Sequence, residues 1–274
     1  MKIKPFPLIL ILLLVAFTSS YAQSYKMIYD FQWKSNKKSP EYNSELCALI
    51  TRENNQPSFF ESYENFRLDS LKTKVINDYA KNNRQGPLRL PSDEKKSLFR
   101  PLIIKNPADK TITVEEKAYV KLFSVAYSCP IKWKIQSNDK ETILGYKAQK
   151  AVCEFGGRNW TAWFTNEIPI MDGPYKFSGL PGLIIQMYDS KRHWNIDFAQ
   201  LLYKDTKRID LPFKDAIKKD KVKIFKDKRE YSLNSLQKLE AAGILSFDIK
   251  DRAQLFEENR KKAERDNNWI EMYP

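Results

Sequence analysis

A single histidine, His193, serves all 274 residues of the chain. One imidazole cannot build a multi-histidine zinc site, and a Ser-His-Asp triad would have to use this residue as its base. It sits beside an expected turn at Asp189 to Arg192, where an exposed turn residue is the plainer reading. Cysteine is nearly as scarce. Cys47, Cys129 and Cys153 lie far apart and fit no metal-binding spacing, and their odd number leaves at least one thiol unpaired. Cys129 and Cys153 flank neighbouring strand-like segments and are expected either as a disulfide or as two buried small hydrophobes. Glycine occurs only eight times, and no phosphate-cradling glycine loop or calcium loop is present. No metal and no cofactor are expected.

Long apolar runs are missing too, apart from Leu8 to Phe17. Lys2 and Lys4 precede that run, and Ser20-Tyr21-Ala22 follows it with small residues at −3 and −1, the tripartite pattern of a secretory signal peptide. The run is shorter than the ~20 residues of a membrane span. Residues 1–22 are therefore expected to be a leader cleaved after Ala22, and residues 23–274 a single exported domain without a transmembrane span. Gln23 stands where a lipoprotein would need cysteine.

Negative charge is in short supply, with 34 acidic residues against 47 basic ones and a formal net charge of +13. The leader contains two of the lysines and no acid, so the mature chain carries +11. Outside the cytoplasm such a charge meets anionic lipid and acidic glycan rather than nucleic acid, and no nucleic-acid module accompanies it. The basic stretches Lys204 to Lys228 and Arg260 to Arg265 mix both signs in the manner of solvated helix faces.

Periodicity organises the rest. Tyr25, Met27, Tyr29, Phe31 and Trp33 alternate with polar residues, the period of a half-buried strand. Glu45 to Arg52 and Pro57 to Glu61 read as a hairpin, and Leu68, Leu71, Val75, Ile76 and Tyr79 predict an amphipathic helix over Asn65 to Ala80. Strand-like runs resume at Leu98 to Lys105, Ala118 to Tyr127 and Ile131 to Gln136. Gly156-Gly157 predicts a tight turn between Gly145 to Phe155 and Asn159 to Thr165, placing Cys153 opposite Trp160, Ala151 opposite Ala162 and Gln149 opposite Phe164. Leu183 to Tyr188 and Trp194 to Leu202 form a last hairpin. Beyond Pro212 the pattern turns helical, with Ser232 as an N-cap, Gly243 as a stop and a helix over Asp248 to Asp266. Strands come first and helices last, with no βαβ alternation. The expected class is α+β, a curved antiparallel β-sheet open to a half-barrel form, with one early helix and C-terminal helices.

One segment is set apart by its punctuation: Ile168 to Ile184 gathers Gly173, Pro174, Gly179, Pro181 and Gly182. Such residues fix a rigid, non-repetitive loop feeding a buried strand. The string Gly179-Leu180-Pro181-Gly182-Leu183-Ile184 resembles the GLPGLI family of exported proteins. Trp133, Gln149-Lys150-Ala151, Gly157-Arg158, Ala162-Trp163-Phe164-Thr165, Ile168-Pro169, Gly173-Pro174, Phe177 and the closing Asn267-Asn268-Trp269-Ile270-Glu271 extend the similarity. The chain departs from it at Ala148, where relatives often carry cysteine. The resemblance implies a Bacteroidetes-type bacterium and an exported protein of uncharacterised role, and it supplies no catalytic residues.

Chemistry is correspondingly thin. Ser-x-x-Lys occurs at Ser35, Ser92, Ser137 and Ser235, as a lysine-rich chain produces by chance. Glu154, Glu167, Asp172 and Asp189 would need to stand roughly 5 to 10 Å apart in a pair to cleave a glycoside. What remains is apolar: Trp160, Trp163, Phe164, Tyr175, Phe177, Leu180, Pro181 and Leu183 either line a hydrophobic groove rimmed by Lys and Arg or fill the core. The leading expectation is a non-enzymatic periplasmic or envelope binding protein for a lipid-like or apolar ligand. The alternatives are a module that docks on an outer-membrane transporter or other envelope protein, and an exported hydrolase.

Overall fold

The structure is a computed structural model that describes residues 24–52, 56–82, 97–118, 121–128, 130–203, 217–218 and 221–272. The expected leader and Cys129 lie outside the described residues. β1 (Ser24–Trp33), β2 (Asn43–Arg52) and β3 (Ser58–Ser62) form a meander, and α1 (Tyr63–Lys81) follows directly. Ser62 caps α1 through a side chain that accepts from the Asn65 amide, satisfying one of the donors a helix start leaves free.

β4 (Leu102–Asn106), β5 (Thr111–Ala118) and β6 (Lys121–Ser128) extend the sheet on one side of β1. β7 (Lys134–Ile143), β8 (Tyr146–Phe155), β9 (Arg158–Thr165), β10 (Leu183–Asp189) and β11 (Trp194–Tyr203) extend it on the other. The order is β6-β5-β4-β3-β2-β1-β11-β10-β9-β8-β7, antiparallel throughout. A two-residue strand, β12 (Ile217–Lys218), adds to β6 in parallel. The terminal strands do not pair with one another, so the sheet is open, and α2 (Lys221–Leu233), α3 (Ser235–Ala241) and α4 (Ile249–Arg265) complete the expected α+β layout.

The sheet is strongly curled. Seven strand-to-strand steps separate β4 from β8, which would set them ~34 Å apart in a flat sheet. Yet Phe177, in the loop between β9 and β10, reaches both: its carbonyl accepts from Lys105 Nζ of β4 at 3.4 Å, and its ring centroid stands 5.1 Å from that of Phe155 on β8. The 166–182 loop fills the concave face. Leu49, Phe60 and Ile103 point into that main core, while their neighbours Ile50, Phe59 and Leu102 pack with Phe66 of α1 in a second cluster on the other face.

The β8–β9 register is the one read from the sequence, with Cys153↔Trp160, Ala151↔Ala162 and Gln149↔Phe164. Gly156 and Gly157 supply φ of +59° and +72° at the turn. Three expectations are corrected. The strand-like run from Ala118 belongs to a hairpin whose first arm, β5, begins at Thr111. The run from Ile131 is displaced into β7, which continues through the polar Ser137 to Glu141 because an edge strand needs no apolar face. Ser232 lies inside α2 rather than capping a helix, and Asn234 stands at the start of α3. Gly243 (φ +69°) does follow the end of α3, and Asp248 caps α4 by accepting from the Lys250 amide.

Candidate functional site

Seven of the eight residues proposed from sequence to line a groove are brought together as packed interior. Trp160, Phe164, Phe177, Leu180 and Leu183 are at most 1 % exposed, and Trp163 and Tyr175 are also buried. Phe177 lies among the rings of Trp133, Phe155, Trp160 and Tyr175 at centroid distances of 4.9 to 6.2 Å. Pro181 alone of the set is exposed. The chain's own loop thus occupies the concave face, and these residues fill the core there.

Three buried ion pairs hold this arrangement. Lys105 pairs with Asp172 and also donates to the Gly173 carbonyl at 2.5 Å, which ties the loop to β4. Burial pulls the Lys105 ammonium below its ordinary pKa, and the Asp172 carboxylate opposes that shift. Arg158, at the start of β9, donates to Asp189 at 2.9 Å, to the Asn268 side chain at 2.8 Å and to the carbonyls of Trp269 and Ile270. Glu271 accepts from both Tyr175 and Lys176. The closing segment 267–272 is therefore sewn onto the sheet: the Met272 amide donates to the Gly156 carbonyl at 2.7 Å, and the Asn267 and Asn268 amides donate to the Ser35 carbonyl. Gly157-Arg158 and Asn267 to Glu271, remote in sequence, form one structural unit.

Above that unit lies a cavity of about 890 Å³, bounded by the ends of β1 and β11, by Tyr175 and Lys176 of the loop, and by α2, α3 and α4. Trp33 and Trp194, directly paired across β1 and β11, stack in its wall with centroids 5.9 Å apart and planes 10° off parallel. Phe225 and Trp269 meet edge to face at 4.6 Å. Phe99, Tyr127, Tyr175 and Tyr231 bring the aromatic lining residues to eight. Among the described residues five basic ones line it, Arg100, Lys176, Lys228, Lys262 and Arg265, against the two acids Asp266 and Glu271. Burial raises the Asp266 pKa, opposed by Arg229 and Lys228. Tyr175 is held at φ +54°, a left-handed conformation that costs a non-glycine residue about 1–2 kcal/mol. Its contacts with Glu271 and Phe99 keep it there.

Of the aromatic and apolar residues proposed from sequence, Tyr175 reaches this cavity, and Ser35 and Ser235 of the Ser-x-x-Lys pairs line it too. Lys228, Lys262 and Arg265, expected as parts of solvated helix faces, line it instead. No local period signals such a wall, because its members run from Trp33 to Glu271 and meet only through the fold.

The other sequence candidates do not converge. Glu154 and Glu167 are exposed, while Asp172 and Asp189 are engaged by Lys105 and Arg158. Ser235 accepts from Asn259, and Lys238 turns away to Glu230. His193 is half-buried beside the β10–β11 turn, its pKa lowered first by burial, with Asp189 opposing and Arg158, Lys34 and Lys191 reinforcing. Cys47 and Cys153 are free, buried thiols. Among the described residues no group of three or more His, Cys, Asp or Glu could hold a metal ion, and no helix is long and apolar enough to cross a membrane.

Residues 156–186 match a Bacteroidetes-type family described as "Protein of unknown function (Porph_ging)". The match runs from the β8–β9 turn through the loop into β10. No curated protein matches the chain in sequence. The solved structure of PNGF-II in space group P21 is similar over 76 % of this chain, with a TM-score of 0.50 and 16 % identity. Its C2 form gives a TM-score of 0.49 at the same identity and coverage. The chain spans about a third of the length of those structures, 33 % and 32 %. At that identity the likeness speaks for the fold alone.

Proposed function

We propose that the chain is a GLPGLI-type exported protein, freed of its leader after Ala22 and working in the periplasm or cell envelope. There it acts as a binding protein, not an enzyme, for a lipid-like or apolar ligand held between the sheet and the C-terminal helices. The observation that carries this reading is the cavity itself. Its volume of about 890 Å³ falls within the ~300–1,000 Å³ of small-molecule sites, and aromatic rings form part of its walls. The strained Tyr175 backbone at its edge supports it, since such conformations concentrate where ligands are held.

Native mass spectrometry of the protein purified from its own envelope fraction tests the proposal, together with a titration of the delipidated protein by oleate. A co-purifying ligand, or a saturable change in tryptophan fluorescence from Trp33, Trp194 and Trp269, is expected. A uniformly ligand-free protein whose fluorescence ignores oleate would overturn the reading.

A further inference from the structure

The positive charge around the cavity is not balanced among the described residues. Of its five basic lining residues, Lys176 is matched by Glu271, and Lys228 faces Asp266. Arg100, Lys262 and Arg265 line the same cavity, are exposed, and form no ion pair among the described residues. Lys262 and Arg265 stand in the last turn of α4, whose dipole presents about half a negative charge there. That partial charge leaves the greater part of three cations unanswered. Protein surfaces ordinarily interleave charges of both signs, and α4 does so elsewhere, with Arg260 on Glu264 and Lys261 on Glu257.

A second observation concerns the apolar wall. Trp194 is only 6 % exposed and lines the cavity with its ring stacked on that of Trp33, so the cations stand beside a broad aromatic face.

Taking the cavity as a ligand site, as proposed above, we infer that its ligand is an anionic amphiphile. The anionic head group meets Arg100, Lys262 and Arg265, and the apolar body lies against the stacked Trp33 and Trp194. The apolar wall selects against free anions and the cations select against neutral lipids. Long-range attraction to the three cations also makes capture sensitive to ionic strength.

The test compares oleate, oleyl alcohol and inorganic phosphate on the delipidated protein by tryptophan fluorescence, in the parent and in the double variant Lys262→Gln/Arg265→Gln. These two residues are exposed and form no ion pair among the described residues, so the variant is expected to keep the parent's melting temperature. Oleate is expected to bind about tenfold more tightly than oleyl alcohol, a preference that exposed charge contacts of modest individual worth supply together. That preference should vanish in the double variant and shrink in high salt, while oleyl alcohol binds both proteins alike. Equal affinity for oleate and oleyl alcohol in the parent overturns the anionic selection and leaves the apolar reading standing. Phosphate alone matching oleate overturns the amphiphile. Binding of none of the three overturns the cavity reading on which the inference rests.

Discussion

The ammonium of Lys105 on β4 donates to the carbonyl of Phe177 at 3.4 Å, and Phe177 rests its ring on Phe155 of β8. Two strands seven steps apart in the sheet are thus closed upon one loop residue. The loop acts as the filling of the curl, and Lys105 with Asp172 is its polar anchor.

Removing one partner of such a pair leaves a buried charge unanswered, whereas removing both leaves none. Asp172→Ala is expected to cost about 3–5 kcal/mol in urea unfolding. The double variant Lys105→Met/Asp172→Asn is expected to lose much less, since methionine follows the lysine stem and asparagine keeps an acceptor for the Gly173 amide at 2.8 Å. A double variant as unstable as Asp172→Ala would show that Lys105 holds the loop by its donors to the Gly173 and Phe177 carbonyls rather than by its charge.

Arg158 performs the corresponding task for the C-terminal segment. Its guanidinium serves Asp189, Asn268 and two main-chain carbonyls at once, a fork that lysine cannot copy with one ammonium. Arg158→Lys is expected to free residues 267–272 before the sheet loosens. Hydrogen exchange at the Met272 amide, bonded to Gly156, should accelerate at least tenfold while the β1 amides keep their protection. Unchanged Met272 protection would mean that the Ser35 and Glu271 contacts suffice.

Much of the sheet was legible because its information is local. The alternation of β1 and the double glycine between β8 and β9 fixed strand faces and register within a few residues. β7 starts later than its apolar run suggests, because an edge strand exposed on both faces carries no period to read. The fate of Trp160 and Phe177 was open, because an aromatic in a core and an aromatic in a groove are the same residue until the packing is known. Lys262 and Arg265 carry only the signature of a solvated helix face, because the cavity they line is shared with Trp33, more than two hundred positions earlier. Arg158 and Glu271 lay in segments that the family resemblance singled out. Their joining, however, is a long-range fact that no spacing encodes.

Within the loop motif, Gly182 is required by contact rather than by torsion. A Cβ there would stand 2.1 Å from the Thr165 carbonyl oxygen, where the last residue of β9 meets the first of β10. Backbone cannot swing aside as a side chain can, so Gly182→Ala must part the two strands. A loss of about 2–3 kcal/mol is expected by chemical denaturation, typical of overpacking against a rigid neighbour. Gly243→Ala, with open space around it but φ +69°, should cost only about 1–2 kcal/mol. Equal losses at the two sites would remove the close approach as the reason for glycine in the motif.

The cysteines offer a test of the packed interior that needs no substitution. Burial pushes the Cys153 thiol up to about 12 and raises Cys47 as well, which Glu45, Glu61 and Asp30 reinforce. Only the thiolate attacks an alkylating reagent, so at pH about 8 its supply at Cys153 is about a thousandfold below that of an ordinary cysteine. Peptide mapping after brief iodoacetamide treatment of native protein should find Cys47 and Cys153 unmodified, and denaturant should make both react at once. Labelling of native Cys153 at the rate of a free thiol would mean that the hairpin opens on the timescale of the reaction. Because Cys153 sits directly across from Trp160, whose ring packs on Phe177, such opening would also expose the core beneath the loop.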